Sequence, residues 1–147
     1  MKKLLVPVIV FAAVALYQFV GGEHSSNPQT SAAALQRADS AIDRAFKFHA
    51  HGVQVEGQGE VIKVLGDDND GSRHQRFIVR LASGQSVLIA HNIDLARRVS
   101  PLNEGDVVSF KGEYAWNSKG GVVHWTHRDP QGVHSSGWIR HNGQVFQ

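Results

Sequence analysis

The chain of 147 residues contains no cysteine. Disulfides, thiolate zinc sites and thiol nucleophiles are thereby excluded. Any metal has to be held by His, Asp, Glu or backbone oxygen. A surplus of charge is also missing. The formal net charge is +2, but two of the 15 basic residues are Lys2 and Lys3, and the remainder match the 13 acidic residues in number. Without a basic field there is no strong nucleic-acid signature. There is no H-E-x-x-H, no G-x-S-x-G and no phosphate-binding glycine loop, so the common signatures of zinc proteases, serine hydrolases and nucleotide binders are absent. Internal repeats and low-complexity tracts are absent as well.

Only one long apolar run occurs. Leu4 to Val20 is apolar apart from Pro7 and Gln18, and Lys2 and Lys3 precede it. Residues 1–22 therefore read as a signal peptide or an N-terminal membrane anchor in contact with the membrane. The run is near the lower limit for spanning a bilayer. Cleavage after Gly22 would use Val20 and Gly22 as its small residues, though no A-x-A site follows. Either outcome predicts an exported protein: periplasmic, secreted, or anchored to the inner membrane and facing the periplasm. All nine histidines lie beyond this run, so acidification would make the exported part strongly positive.

Residues 23–50 read as a linker and an amphipathic helix. Gly21 to Thr30 is polar. Leu35, Ala38, Ile42, Ala45, Phe46 and His49 then recur at helical spacing, which predicts a helix over 32–48 that packs on the domain, with Thr30 or Ser31 as cap. From residue 51 the pattern changes to period two. Val53 and Val55 begin a long first strand, which Gly57 and Gly59 allow to bend or bulge. Asp67-Asp68-Asn69-Asp70-Gly71 is a turn by composition and misses the calcium-loop spacing by one position. On the second strand Phe77, Val79 and Leu81 face one way, and Arg76, Ile78 and Arg80 the other. Further strands are expected over 86–91, 107–116 and 122–127, with a short helical turn over 95–99 capped by Asn92 or Asp94. The fold class is mainly β: a small five-stranded OB-like barrel over 51–147, with a His/Trp-rich C-terminal return segment.

Histidine and tryptophan are concentrated near the C-terminus. His124, His127, His134 and His141 fall within 24 residues, with Trp125 and Trp138 among them and Trp116 just upstream. Strand parity divides these residues. Val123, Trp125 and His127 share the inward face, and His124 the outward one. Val87, Ile89 and His91 share the inward face of the third strand. His91 and His127 are thus expected at one mouth of the barrel, near Asp94 or Asp129. Together with His134 they are candidate ligands for a divalent metal such as zinc: His91, His127, Asp129 and His134. The plainer alternative is that each histidine caps the core through backbone hydrogen bonds. On the outer face, His74, Arg76 and His124, with Trp138, form a candidate surface for an anionic or sugar ligand. A solvated strand face is the alternative there. A short strand over 138–140 would pack back on the sheet, with Trp138 as a core anchor.

Four ordered motifs, DDNDGSRHQRF, AHNIDLA, GEYAWNSKGGVVHWTHRDP and HSSGW, resemble the uncharacterised bacterial family named domain of unknown function 3465. The resemblance covers roughly Val53 to the C-terminus. It implies an exported bacterial protein and transfers no catalytic assignment. Positions that match include His74, Gln75, His91, Asn92, Asp94, His124, Trp125, Thr126, His127, Asp129, His134, Gly137 and Trp138. Ala115 and Arg128 depart from the family pattern, where Glu and His are expected, so neither is essential to any shared chemistry.

Three functions fit these residues. The first is an exported OB-like domain that binds a ligand and catalyses nothing. The second is a metal-dependent hydrolase, with phosphodiesters as one substrate class and a bound water as nucleophile. The third is a structural envelope domain whose His and Trp hold its C-terminal segment down.

Overall fold

The computed structural model describes residues 28–147. The signal or anchor reading of residues 1–22 and most of the polar linker lie outside these residues. Among the described residues no helix is long and apolar enough to cross a membrane.

A helix, α1 (Pro28–Lys47), precedes seven strands: β1 (His51–Val64), β2 (His74–Leu81), β3 (Ser86–Asn92), β4 (Val107–Ala115), β5 (Val122–His124), β6 (Trp138–His141) and β7 (Gln144–Phe146). The helix starts ahead of Thr30 and Ser31, so neither caps it. Its C-terminal half carries the packing. Ile42 is fully buried and Ala45 nearly so, whereas Leu35 is exposed. Arg44 and Lys47 sit in the last turn, where cations oppose the helix dipole. Gly57 lets the helix come down on the barrel: a Cβ there would lie 2.6 Å from Phe110 Cζ and 2.9 Å from Ile42 Cδ1. Two carboxylates tie the helix to the β2–β3 turn. The Ala82 N–H donates to Asp39 Oδ2 (3.0 Å), and the Ser83 hydroxyl donates to Asp43 Oδ1 (2.9 Å). Burial pushes the Asp39 carboxyl above its ordinary range.

Strand order is β1-β2-β3-β5-β4, and β4 returns to pair with β1, which closes a five-stranded barrel. β1 is long enough to pair along both neighbours. The close approach of β1 and β2 requires Gly59, because a Cβ would sit 2.2 Å from the Arg80 carbonyl oxygen. The expected bulge occurs just beyond it, between Val61 and Lys63. β3 and β5 run parallel, as an OB-like closure requires. Val55, Val61, Phe77, Val79, Val87, Ile89, Val108, Phe110, Tyr114 and Val123 fill the interior. The inward and outward rows of β2 and β3 follow the period-two reading of the sequence.

β5 is only three residues long, so part of β4 keeps a free edge. β6 takes that edge, and β7 pairs with β6. This is the return segment, with its parity shifted by one from expectation. Ile139 lies opposite Phe110, and directly opposed residues point to the same face. Ile139 is therefore the core anchor, fully buried, with Phe146 beside it. Trp138 faces outward, where the Arg140 guanidinium lies 4.2 Å from its ring. The helical turn expected between β3 and β4 reduces to a single turn at residues 93–95. Asn92 is its cap, accepting on Oδ1 from the N–H groups of Asp94 (3.0 Å) and Leu95 (3.3 Å). The acidic turn is tied to the β3–β4 connection and to itself: Asp67 pairs with Arg98, and Asp68 Oδ1 accepts from the Asp70 N–H.

Candidate functional site

The site begins where β5 ends. Trp125 has a φ of 56°, in the left-handed region that residues with a Cβ seldom adopt. This breaks the alternation on which the expected fifth strand relied. Trp125 does not enter the core; it is half-buried at the barrel end, while Thr126 and His127 are both buried. Two glycines permit the kink. A Cβ at Gly112 would lie 2.3 Å from the His124 carbonyl oxygen, and one at Gly137 would lie 2.2 Å from that of Trp125. The Gly137 N–H donates to the His127 carbonyl (2.8 Å). The return segment thus clamps the Trp125–His127 backbone from above.

Asp129 closes the loop between them. Its Oδ1 accepts from the Gln131 N–H (2.9 Å), its Oδ2 from the His134 N–H (2.5 Å), and its own N–H donates to Ser136 Oγ (3.1 Å). Backbone hydrogen bonding, first from His134, holds the Asp129 carboxyl below the ordinary carboxylate range.

These elements enclose a cavity of about 480 Å³, within the range of small-molecule sites. β2 contributes His74, β3 Asn92 and β5 His124; the loop contributes Trp125, His127, Asp129 and His134. The ligand surface and the metal set expected separately therefore overlap in one place. His74 and His124 come from the first, and His127, Asp129 and His134 from the second. Two of the expected ligand residues lie elsewhere. Arg76 donates through Nε to the Gly66 carbonyl (3.0 Å), and Trp138 is on the outer face of β6.

The rings are packed mainly edge to face. The His134 ring centroid is 3.8 Å from that of Trp125, at 80°, and 4.9 Å from that of His127, at 85°. His127 Nδ1 is 2.7 Å from the Arg128 carbonyl oxygen, and His134 Nδ1 is 2.8 Å from that of Ser135. A carbonyl only accepts, so Nδ1 carries the proton in both. In the neutral rings the lone pair is then on Nε2. His134 Nε2 lies 4.0 Å from Asp129 Oδ2, with both side chains 7% exposed. His124 Nε2 is 3.7 Å from Glu113 Oε1, its cross-strand neighbour. Burial lowers the His124 pKa, against the opposing pull of Glu113.

His91 is separate from this set. It is fully buried behind Thr126, and both of its nitrogens are occupied. Nε2 donates to the Arg97 carbonyl (3.1 Å), so Nδ1 accepts from the Thr126 hydroxyl (2.8 Å). Burial lowers its pKa to about 4. His91 therefore matches the plainer expectation of a core-capping histidine, with no nitrogen left for an ion. Among the described residues no group of three or more His, Asp or Glu side chains is disposed to hold a metal.

Several lining residues were not among the site residues expected from the sequence. Leu95 and Val133 are apolar lips, 67% and 72% exposed. Asn92 has its Oδ1 committed to the turn cap, which leaves its NH₂ as the free donor. Arg128 also lines the cavity. The spacing of Asn92 and Asp94 carried a capping signal; Leu95 and Val133 carried none, because exposed single apolar residues are ordinary.

Among proteins of curated function, none matches the chain. Residues 27–147 match the family described as Protein of unknown function (DUF3465), and the chain belongs to that family.

Proposed function

We propose that this protein is an exported OB-like binding domain whose ligand occupies the cavity at the ends of β2, β3 and β5. The observation that carries this reading is the convergence of His74, Trp125, His127 and His134 on one cavity of about 480 Å³. Export rests on the apolar run behind Lys2 and Lys3.

The chemistry of the lining selects a class of ligand. Trp125, Leu95 and Val133 offer apolar surface, and the imidazoles, Asn92 and Arg128 offer hydrogen bonds. Asp129 is the one acidic group in the lining, and backbone N–H groups already engage both of its oxygens. A small polar ring or anion suits this balance better than a cation. A sugar or a sugar acid combines the required hydroxyls with an apolar face for Trp125.

The test is a titration of the full-length chain with glucose, galacturonate and inorganic phosphate, followed through imidazole NMR signals and tryptophan fluorescence. The expected result is a saturable shift of the His124, His127 and His134 rings by at least one probe, abolished in Trp125→Ala or His127→Gln. If no probe moves these rings at millimolar concentration, the sugar and anion reading is wrong.

A further inference from the structure

We infer that Arg128, fixed by Gln147, selects an acidic ligand for this cavity, so that the preferred occupant is a ring bearing a carboxylate rather than a neutral sugar. The inference rests on the ligand-site reading above and adds the charge of the ligand and the residue that reads it. Among the described residues Arg128 is the only Lys or Arg in the lining, and no Asp or Glu pairs with it. Its charge does not titrate away. The one acid of the lining, Asp129, has both oxygens engaged by backbone N–H groups, which offset its charge. An anion entering the cavity therefore meets a cation that no carboxylate has claimed.

The guanidinium is held in place from the C-terminal strand. Phe146 is buried and anchors the end of β7, which sets Gln147 beside the loop. With its amide turned so that both groups are satisfied, Gln147 accepts on Oε1 from Arg128 Nη2 (2.7 Å) and Nε (3.1 Å). The Arg128 carbonyl accepts from His127 Nδ1 (2.7 Å), which fixes the backbone of the same residue. Gln147 thus takes one edge of the guanidinium and leaves the Nη1/Nη2 edge, a fork that a carboxylate fits bidentately. A neutral amide orients the group without neutralising it.

The other polar groups of the lining suit hydroxyls. His127 and His134 each commit Nδ1–H to a carbonyl, so their neutral rings present Nε2 as acceptors, and the Asn92 NH₂ is a donor. Trp125 supplies an apolar face for the ring itself. A single-ring sugar acid uses all of these features, whereas a neutral sugar leaves the guanidinium fork unpaired. Arg128 is exposed, so water solvates the empty fork. The discrimination is therefore about ten-fold, as for one charge-assisted hydrogen-bonded contact, and not the far larger ratio of a buried pair.

The experiment titrates the full-length chain with galacturonate, with galactose as its neutral counterpart, and with inorganic phosphate, by isothermal titration calorimetry at low salt. Galacturonate is expected to bind about ten-fold more tightly than galactose. Arg128→Gln should bring galacturonate down to the affinity of galactose, and Gln147→Ala should reduce the preference by freeing the guanidinium. Arg140→Gln, on the outer face of β6, should leave the preference unchanged. A residue that only supported the fold would weaken both sugars alike. Equal binding of the two sugars to the wild-type chain, or a preference that survives Arg128→Gln, overturns the proposal and leaves the sugar-site reading standing. If neither sugar binds, that reading fails and phosphate decides the rest. Phosphate binding that Arg128→Gln abolishes supports Arg128 as the anion-selecting residue. Phosphate that binds regardless of Arg128, or not at all, overturns it.

Discussion

His91 and the His127–His134 pair lie at the same end of the barrel and use opposite tautomers. His91 donates from Nε2 and accepts at Nδ1, so both nitrogens are satisfied inside the protein. His127 and His134 donate from Nδ1 to their own loop and leave Nε2 free at the cavity. The same side chain is thus a core component in one case and a chemically available group in the other. The difference lies in the backbone. The β3 ladder delivers His91 into the interior, whereas the left-handed turn at Trp125 lifts the next residues out of the strand. Burial alone does not separate them, since His127 is itself 6% exposed.

The largest effect should come from breaking the His91 side of this contrast. His91→Ala leaves a cavity and strands the Thr126 hydroxyl and the Arg97 carbonyl, so a stability loss of about 3–5 kcal/mol is expected in urea unfolding. Titration provides a comparable effect. The folded pKa of His91 is lowered from 6.5 to about 4, so the unfolded chain takes up the proton first. Its contribution is complete above pH 6.5 and is lost as pH falls toward about 4, by roughly 3 kcal/mol over the window. In His91→Phe that slope should flatten, as measured by unfolding at several pH values. A wild-type chain equally stable at pH 7 and pH 4.5 contradicts this account of His91.

Gly137→Ala addresses the other side. The added methyl meets the Trp125 and Lys111 carbonyl oxygens at 2.2 and 2.5 Å, so the clamp has to move. A loss of about 1–3 kcal/mol is expected, together with loss of any probe response at His127. If Gly137→Ala keeps both, the clamp does not shape the cavity. The smallest effect on stability belongs to Trp125→Ala. Its half-buried ring is expected to cost about 1 kcal/mol or less on removal, while ligand response disappears. That combination separates a ligand contact from a core residue, and a loss of several kcal/mol would place Trp125 with His91 instead.

Much of the architecture was legible because period two is a strong signal where strands are long. β2 and β3 alternate without interruption, so Phe77, Val79, Ile89 and His91 were placed correctly. The fifth strand failed at a single dihedral angle. Nothing in VVHWTH marks Trp125 as left-handed, and the glycines that permit the turn, Gly112 and Gly137, are distant in sequence. Trp138 failed for another reason. Alternation over a short strand fixes two faces but not which one is buried; that is set by register with Phe110 on β4. The cavity itself was half legible. Its histidines stood out by composition, but their division into an outer and an inner set assumed a strand that continues to His127, and the kink joins the two sets.

The most direct test is the tautomer of each histidine, read from ring ¹⁵N shifts in the folded chain near neutral pH, before and after the sugar and phosphate probes. The account predicts that neutral His127 and His134 are protonated at Nδ1 and that a bound probe perturbs their Nε2. It predicts that His91 is protonated at Nε2, ignores the probes, and gains a second proton only near pH 4. A spectrum in which His91 responds to a probe, or in which His127 and His134 share its tautomer, would contradict the division between structural and available histidines on which the proposed site rests.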